Sequence, residues 1–145
     1  MLDRVQPRQI GYAALIAGLL IAAFLVNRDP SGPPVDPALL AKTSWRIVSI
    51  NEKPASGWIR FDDSQVSFSS GLNTIGFQYE VDGDRLRNVN RELFSTLAGS
   101  LNPYVVAQEN RLTRAMTGHM TIEGTQLTIA TKSDVVVAIR SGASG

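Results

Sequence analysis

The chain contains one histidine, His119, which is the first candidate for chemistry. A general base or a zinc ligand needs partner groups within hydrogen-bonding or coordination distance, and no hydrolase or metalloprotease motif surrounds this residue. His119 follows Gly118, where we expect a helix to end and a strand to begin. The sequence therefore favours a structural position for His119, and a hydrolase that uses it is the less favoured alternative.

Alternating carboxylates at Glu80, Asp82 and Asp84 form the second candidate site. Calcium prefers oxygen ligands, but this stretch is too short for an EF-hand loop and lacks its terminal glutamate. The chain contains no cysteine, which removes disulfides, thiol nucleophiles and thiolate metal sites together. We therefore predict no catalytic residues, no metal and no cofactor, in a protein that is not an enzyme.

The charges of the chain are nearly balanced, with 14 basic and 13 acidic side chains. Arg85, Arg87 and Arg91 form the one local basic group, and acidic residues lie beside it. A nucleic-acid surface needs clustered Lys and Arg side chains that displace counterions from phosphates. We therefore expect no nucleic-acid partner.

An apolar segment without charged side chains, Ile10–Val26, separates a short N-terminus from the rest of the chain. As a helix it reaches roughly 25 Å, which is the short end of what crosses a bilayer. Arg4 and Arg8 precede the segment, whereas Arg28 alone follows it closely. Because basic residues resist translocation, we expect residues 1–9 to be cytoplasmic, residues 10–26 to be a transmembrane anchor in contact with the lipid bilayer, and the remainder to lie on the far side.

A cleaved signal peptide is the alternative interpretation, because it shares the basic start and the apolar core. Signal cleavage favours small residues in an A-x-A-like pattern, and the best local candidate, Ile21 with Ala23, fits it poorly. A lipid-modified anchor is excluded because the chain has no cysteine to acylate.

Four prolines in residues 27–37 indicate a stiff spacer after the anchor, and an ordinary disordered linker fits equally well. The remaining residues are enough for one domain with its own core. We place this domain at residues 38–141 and a flexible tail at residues 142–145.

The dominant sequence period in the domain is two, which indicates strands with one buried face. In the clearest case, Ile75, Phe77 and Tyr79 alternate with smaller or more polar residues. The predicted strands are Trp45–Ile50, Trp58–Phe61, Val66–Phe68, Ile75–Val81, Arg85–Val89, Met120–Glu123, Gln126–Ala130 and Val135–Arg140. One helix is predicted from Pro103 to Met116, with Asn102 as its N-cap and Gly118 as its C-cap. The fold class is α+β: a small curved antiparallel sheet of about eight strands with one packed helix.

These residues resemble the META/HslJ-like domains in both type and order. The resemblance covers nearly all of residues 40–140 and is most specific at the run from Gly71 to Tyr79, which is similar to the family motif G-C-N-x-aromatic-x-G-x-Y. Leu72 departs from the motif cysteine, and Ile75 and Phe77 depart from its aromatic and second glycine. The matching motif residues, which we interpret as structural, are Trp45, Gly71, Asn73, Tyr79 and Glu109.

The resemblance implies a curved antiparallel sheet with a packed helix, often exported and membrane-anchored in bacteria, without an established catalytic role. We therefore expect a single-pass protein of the bacterial inner membrane with a periplasmic C-terminal domain, or a secreted periplasmic protein if the segment is cleaved. The favoured function is a non-enzymatic envelope module for stress tolerance or envelope integrity, with an envelope protein as its partner. The alternatives are a domain that binds a small apolar ligand or lipid and, less favoured, a hydrolase that uses His119.

Overall fold

The computed structural model describes residues 32–143, which contain ten antiparallel strands and one α-helix. The strands are β1 Thr43–Ile50, β2 Lys53–Pro54, β3 Trp58–Phe61, β4 Gln65–Ser69, β5 Ile75–Asp82, β6 Arg85–Asn88, β7 Phe94–Ser95, β8 His119–Glu123, β9 Gln126–Ala130 and β10 Val135–Ala143. A 3-10 turn at Pro37–Leu39 precedes β1. The helix, α1, spans Pro103–Ala115 between β7 and β8.

Eight of these strands form a closed, barrel-like sheet in the order β1, β3, β4, β5, β6, β8, β9, β10. The ring closes between β1 and β10, which pair from Thr43 with Ala143 to Ile50 with Val136. The junction of β6 with β8 is much shorter, because Arg85 opposite His119 is its single paired position. This short junction is therefore the weakest backbone connection in the ring.

Strands β2 and β7 lie outside the ring. Ile75 and Gly76 of β5 pair with β4 on one edge and with β7 on the other. Farther along β5, the residues from Tyr79 to Asp82 pair with β6. Strands β6 and β7 therefore lie end to end along one edge of β5.

Large apolar side chains fill the interior of the closed sheet. Trp45, Phe61 and Phe68 are fully buried. Phe61 meets Tyr79 edge to face with ring centroids 5.6 Å apart, and Phe68 meets Phe77 in the same way at 6.3 Å. The alternation of apolar residues in the strands therefore corresponds to one common core, because each strand points its apolar face inward.

Helix α1 begins where its capping residues predict. The Asn102 side-chain oxygen accepts a hydrogen bond from the Tyr104 backbone N–H at 3.0 Å, and Pro103 occupies the first helical position. Leu112 near the end of the helix and Met116 just after it are both buried in the core. The helix is thus fixed to the sheet through one apolar face.

Gly118 follows the helix, but the predicted C-cap role is wrong. The C-cap is Met116, which has right-handed helical angles, and the Gly118 N–H donates to the Ala115 carbonyl at 2.8 Å. A Cβ atom at Gly118 would lie 2.5 Å from the carbonyl oxygen of Ala130 in β9. Glycine is therefore needed here because β9 approaches the backbone closely.

The eight ring strands and the helix confirm the predicted α+β sheet with one packed helix. Strand β10 extends past residue 141, because Gly142 and Ala143 pair with Ser44 and Thr43 of β1. Residues 142–143, which we assigned to a tail, therefore belong to the sheet.

The predicted spacer also contacts the sheet where the structure describes it, because the Val35 N–H donates to the Gly83 carbonyl at 2.9 Å. The predicted anchor, residues 10–26, lies outside the described residues. Within residues 32–143, no helix combines the length and apolarity required to cross a membrane.

Candidate functional site

A buried polar network at the turn between β4 and β5 is centred on Asn73, whose side chain is 7% exposed. Its Nδ2 donates to the Ala98 carbonyl at 3.0 Å and to Glu109 Oε1 at 3.3 Å. Its Oδ1 accepts from the Ala98 N–H at 2.7 Å and from the Thr96 hydroxyl at 3.0 Å. All four hydrogen-bonding positions of the amide are therefore occupied within the protein.

Glu109 reaches this network from helix α1. Its Oε2 accepts the backbone N–H of Asn73 at 3.0 Å, so one carboxylate contacts both the main chain and the side chain of that residue. Thr96 adds two bonds to Thr74: its N–H donates to the Thr74 carbonyl, and its Oγ accepts the Thr74 N–H. The network therefore joins the β4–β5 turn, the connection that follows β7, and α1.

Gly71 shapes the turn that presents Asn73. Its φ is +111°, in a region that glycine adopts without steric cost, and its N–H donates to the Ser69 hydroxyl at 3.0 Å. The Asn73 side chain bonds to Thr96, Ala98 and Glu109, which are 23 to 36 residues away in sequence.

Tyr79 lies on the buried face of β5 with 7% of its surface exposed. Its hydroxyl donates to the backbone carbonyl of Asp62 at 2.8 Å. Burial raises the pKa of the Tyr79 phenol above its ordinary value, and the nearby carboxylates of Asp63 and Asp62 raise this pKa further because they oppose a second negative charge. Tyr79 is thus held as a neutral donor that fixes the β3–β4 turn.

The raised Tyr79 pKa predicts a specific alkaline instability. Above about pH 10 an unfolded tyrosine ionises, whereas folded Tyr79 stays neutral, so this stabilising contribution is complete below pH 10 and is lost as pH rises through the folded pKa. Tyr79→Phe should lower the free energy of unfolding by about 1 kcal/mol at neutral pH. In urea titrations, the free energy of unfolding of this variant should also decline less steeply above pH 10 than that of the wild type. Parallel declines for the two proteins would contradict this explanation.

Trp45, at the start of β1, also makes an internal contact. It is fully buried, and its indole N–H donates to the Thr43 hydroxyl at 2.8 Å. The Thr43 hydroxyl in turn donates to the Leu40 carbonyl. Trp45 therefore connects the strand to the turn that precedes it.

His119 and Asp84 form a pair beside the short junction of β6 with β8. The imidazole Nδ1 lies 2.8 Å from Asp84 Oδ2, and the same oxygen accepts the Gly32 N–H at 3.2 Å. The Arg85 guanidinium lies against the other ring nitrogen, with Nε 3.1 Å from Nε2. The Met120 N–H also donates to the Asp84 carbonyl at 2.7 Å.

This arrangement limits what His119 can do chemically. The carboxylate occupies Nδ1 and a guanidinium faces Nε2, so neither nitrogen is directed at a hydroxyl nucleophile within residues 32–143. The same residues contain no group of three side chains that would hold a metal ion. The pair instead connects β6, β8 and the chain entering at Gly32.

The three alternating carboxylates do not converge on one point. Glu80 pairs with Arg87 across the β5–β6 hairpin, Asp82 is exposed at the end of β5, and Asp84 is buried against His119. Sequence reasoning missed the contact between Asp84 and His119. Thirty-five residues separate the two, so no local spacing indicates it.

An open cleft of about 470 Å³ lies beside the 3-10 turn. It is lined by Pro37, Ala38, Ala41, Asp63, Tyr79, Glu80 and Val81. Its lining combines small apolar side chains and Tyr79 with the carboxylates of Asp63 and Glu80. The cleft is therefore a mixed surface, in contrast to the mostly apolar pockets that bind small molecules.

Comparison with known proteins agrees with this architecture. A solved NMR structure has a TM-score of 0.63 and 19% identity, covering 72% of this chain and 94% of that one. A second NMR structure, of a protein from Burkholderia xenovorans, has a TM-score of 0.56 and 18% identity, covering 79% of this chain and 94% of that one. No curated protein matches the chain. The family model described as the META domain matches residues 38–143, and the chain therefore belongs to the META domain family.

Proposed function

We propose that this protein is a non-enzymatic module of the bacterial cell envelope, tethered to the inner membrane and facing the periplasm. It contacts another envelope protein and so contributes to stress tolerance or envelope integrity. The observation that carries this proposal is the structural role of the motif residues. Asn73, Glu109, Tyr79 and Trp45 direct their polar side-chain atoms into hydrogen bonds that hold the fold together.

The tether is supported by the apolar segment Ile10–Val26 and by the charge of the rest of the chain. Beyond residue 26 the chain has 12 basic and 12 acidic residues, so no strong electrostatic attraction draws the domain to nucleic acid. Export and tethering are then supplied by the N-terminal segment alone. The surface that contacts the envelope partner then lies on the folded domain.

Topology is tested with reporter fusions. Alkaline phosphatase joined after Pro37 should be active, because the basic residues before the apolar segment favour a cytoplasmic N-terminus. The matched control is the same enzyme joined after Arg8, which should be inactive in the cytoplasm. An inactive fusion after Pro37 would refute the orientation. The intact mass of the membrane-extracted protein then distinguishes a retained anchor from a cleaved signal.

The hypothesis that the protein is not an enzyme is tested by expressing His119→Gln in a deletion strain grown under envelope stress. We expect full complementation, because glutamine can still donate to Asp84 and no proton transfer depends on the imidazole. Deleting residues 1–27 without another export signal should abolish complementation, because the domain would be separated from the envelope. Loss of function in a stably folded, correctly exported His119→Gln protein would support the hydrolase alternative.

The cleft beside the 3-10 turn favours a second candidate, a domain that binds a small apolar ligand or lipid. Its alanine and valine side chains offer apolar contact, whereas Asp63 and Glu80 would disfavour an uncharged ligand. Mass spectrometry of lipids that co-purify with the protein, compared with an Ala41→Trp variant that fills the cleft, distinguishes the candidates. Specific loss of one species in the variant would favour ligand binding.

A further inference from the structure

The connection from the end of β6 to the start of α1 exposes a set of large apolar side chains. We call it the apolar loop, residues 93–104, and its exposed members are Leu93 at 55%, Phe94 at 43%, Leu97 at 99%, Leu101 at 104% and Tyr104 at 54%. Large exposed apolar side chains that cluster on a protein surface mark places that contact another molecule or a membrane. The fold leaves Leu97 and Leu101 almost completely exposed and covers the other three only in part.

The fold holds Leu97 in its outward position. The residues on either side of it, Thr96 and Ala98, are both hydrogen-bonded to the buried Asn73 side chain. The polar network therefore fixes the backbone at the point where Leu97 projects. Leu97 therefore stays exposed because the residues on both sides of it are hydrogen-bonded to the β4–β5 turn.

The apolar loop and the chain entry lie at opposite ends of the edge of β5 that pairs with β6 and β7. Strand β7, at the start of the loop, lies end to end with β6 along one edge of β5. Gly32 and Val35 contact the β5–β6 turn, at Asp84 and Gly83, which is the far end of that edge. At about 3.3 Å per residue, the eight-residue β5 extends over roughly 25 Å between the two ends.

The N-terminal segment limits how far the β5–β6 turn, where the chain enters the domain, can move from the bilayer. Six residue steps separate Val26 from Gly32, and a fully extended chain spans at most about 3.3–3.6 Å per residue, or roughly 20 Å in total. This step rests on the proposed function, because it requires residues 10–26 to lie in the membrane. With that tether, the bilayer is the nearest and most concentrated partner for the loop.

The residue types also favour lipid over a protein partner. Energetically important residues at protein interfaces are mostly Trp, Tyr and Arg, and Leu is under-represented among them. Three of the five exposed side chains here are leucines, among them the two that are almost completely exposed. The single tyrosine, Tyr104, has the amphipathic ring that is enriched at the membrane–water boundary.

We propose that the apolar loop inserts Leu97 and Leu101 into the outer leaflet of the membrane that holds residues 10–26. The domain then lies with the side formed by β5, β6 and β7 on the bilayer, held at one end by the tether and at the other by the loop. The exposed charged residues of this side stay in the headgroup layer: Glu80, Asp82, Arg85, Arg87, Arg91 and Glu92.

Because the chain has no cysteine, a single introduced thiol gives a site-specific probe. The full-length Leu97→Cys protein is labelled with the environment-sensitive fluorophore NBD and reconstituted at low protein content into vesicles of phosphatidylethanolamine and phosphatidylglycerol. The matched control is Lys132→Cys, an exposed position in the β9–β10 turn. We expect a blue-shifted emission at position 97 that spin-labelled lipid quenches strongly, and a water-like, weakly quenched emission at position 132. Leu101→Cys should repeat the result for position 97.

Each other outcome overturns the inference in a recognisable way. Water-like emission at positions 97 and 101, in protein that floats with the vesicles, refutes loop insertion but leaves the tether intact. A blue shift that lipid does not quench means that protein covers the loop, and its loss on dilution in lipid identifies a second copy. Protein that fails to float refutes the tether and therefore the proposed function as well.

Discussion

Replacing Tyr79 with alanine is expected to lower the free energy of unfolding by about 3–5 kcal/mol, because it removes a buried aromatic ring and leaves a cavity. The change also removes the edge-to-face contact with Phe61 and leaves the Asp62 carbonyl without its donor. Small domains are stable by only about 5–15 kcal/mol, so the variant should unfold at much lower urea concentration. Fluorescence of the two tryptophans, Trp45 and Trp58, provides the measurement.

Tyr104→Ala is the matched control, because it deletes the same side chain from a position that is 54% exposed. It removes one hydrogen bond, from the buried Gln108 amide, and should cost about 1–2 kcal/mol, well below the loss at Tyr79. Equal losses of free energy of unfolding at the two positions would mean that removing any tyrosine has this effect, whether or not it is buried. A Tyr79→Ala protein that melts within a degree or two of wild type would refute the core assignment of β5.

Replacing Asn73 with alanine is expected to cost about 2–4 kcal/mol, since each buried polar group left without a partner costs about 1–3 kcal/mol. The Ala98 N–H and carbonyl both lose their Asn73 partner, and Glu109 retains only its bond to the Asn73 backbone. Thermal unfolding followed by circular dichroism measures the loss. Native hydrogen exchange should also increase at Ala98, because the variant frees the backbone beside Leu97.

Asn90→Ala is the control for this prediction, because Asn90 is exposed and its amide makes a single long contact, 3.5 Å, with Gln78. A double-mutant cycle with Glu109→Ala tests the network directly. The two changes should be less than additive by about 0.5–3 kcal/mol, because they remove the same interaction. Strict additivity would show that Asn73 and Glu109 contribute independently.

The Asn73 prediction also separates the fold from the proposed membrane contact. Asn73 is buried and does not belong to the apolar surface, yet it fixes the residues on both sides of Leu97. Its loss should weaken lipid quenching at position 97 while leaving the apolar side chains unchanged. The orientation of the loop, in addition to its composition, would then determine the contact.

Local patterns in the sequence were sufficient to predict the eight ring strands and the helix, whereas the two-residue strands β2 and β7 were not predicted. Alternation with period two identifies a strand such as β5 without knowledge of its neighbours, because a pleated strand points successive side chains to opposite faces. Asn102 and Pro103 locate the start of α1 because capping satisfies backbone donors within the first turn. The family motif could also be recognised, because its residues lie close together along the chain.

Contacts between distant residues were decided only by the tertiary structure. The closure of β1 on β10, the Asn73–Glu109 bond and the Asp84–His119 pair join residues at least 35 positions apart. Gly118 was misassigned for the same reason, because its constraint comes from Ala130 in another strand. The sequence by itself determined which faces of the ring strands are apolar and where the helix begins. Which polar groups meet, and which apolar side chains remain outside, depends on how the strands close into a ring, because hydrogen bonding and packing act between neighbours in space.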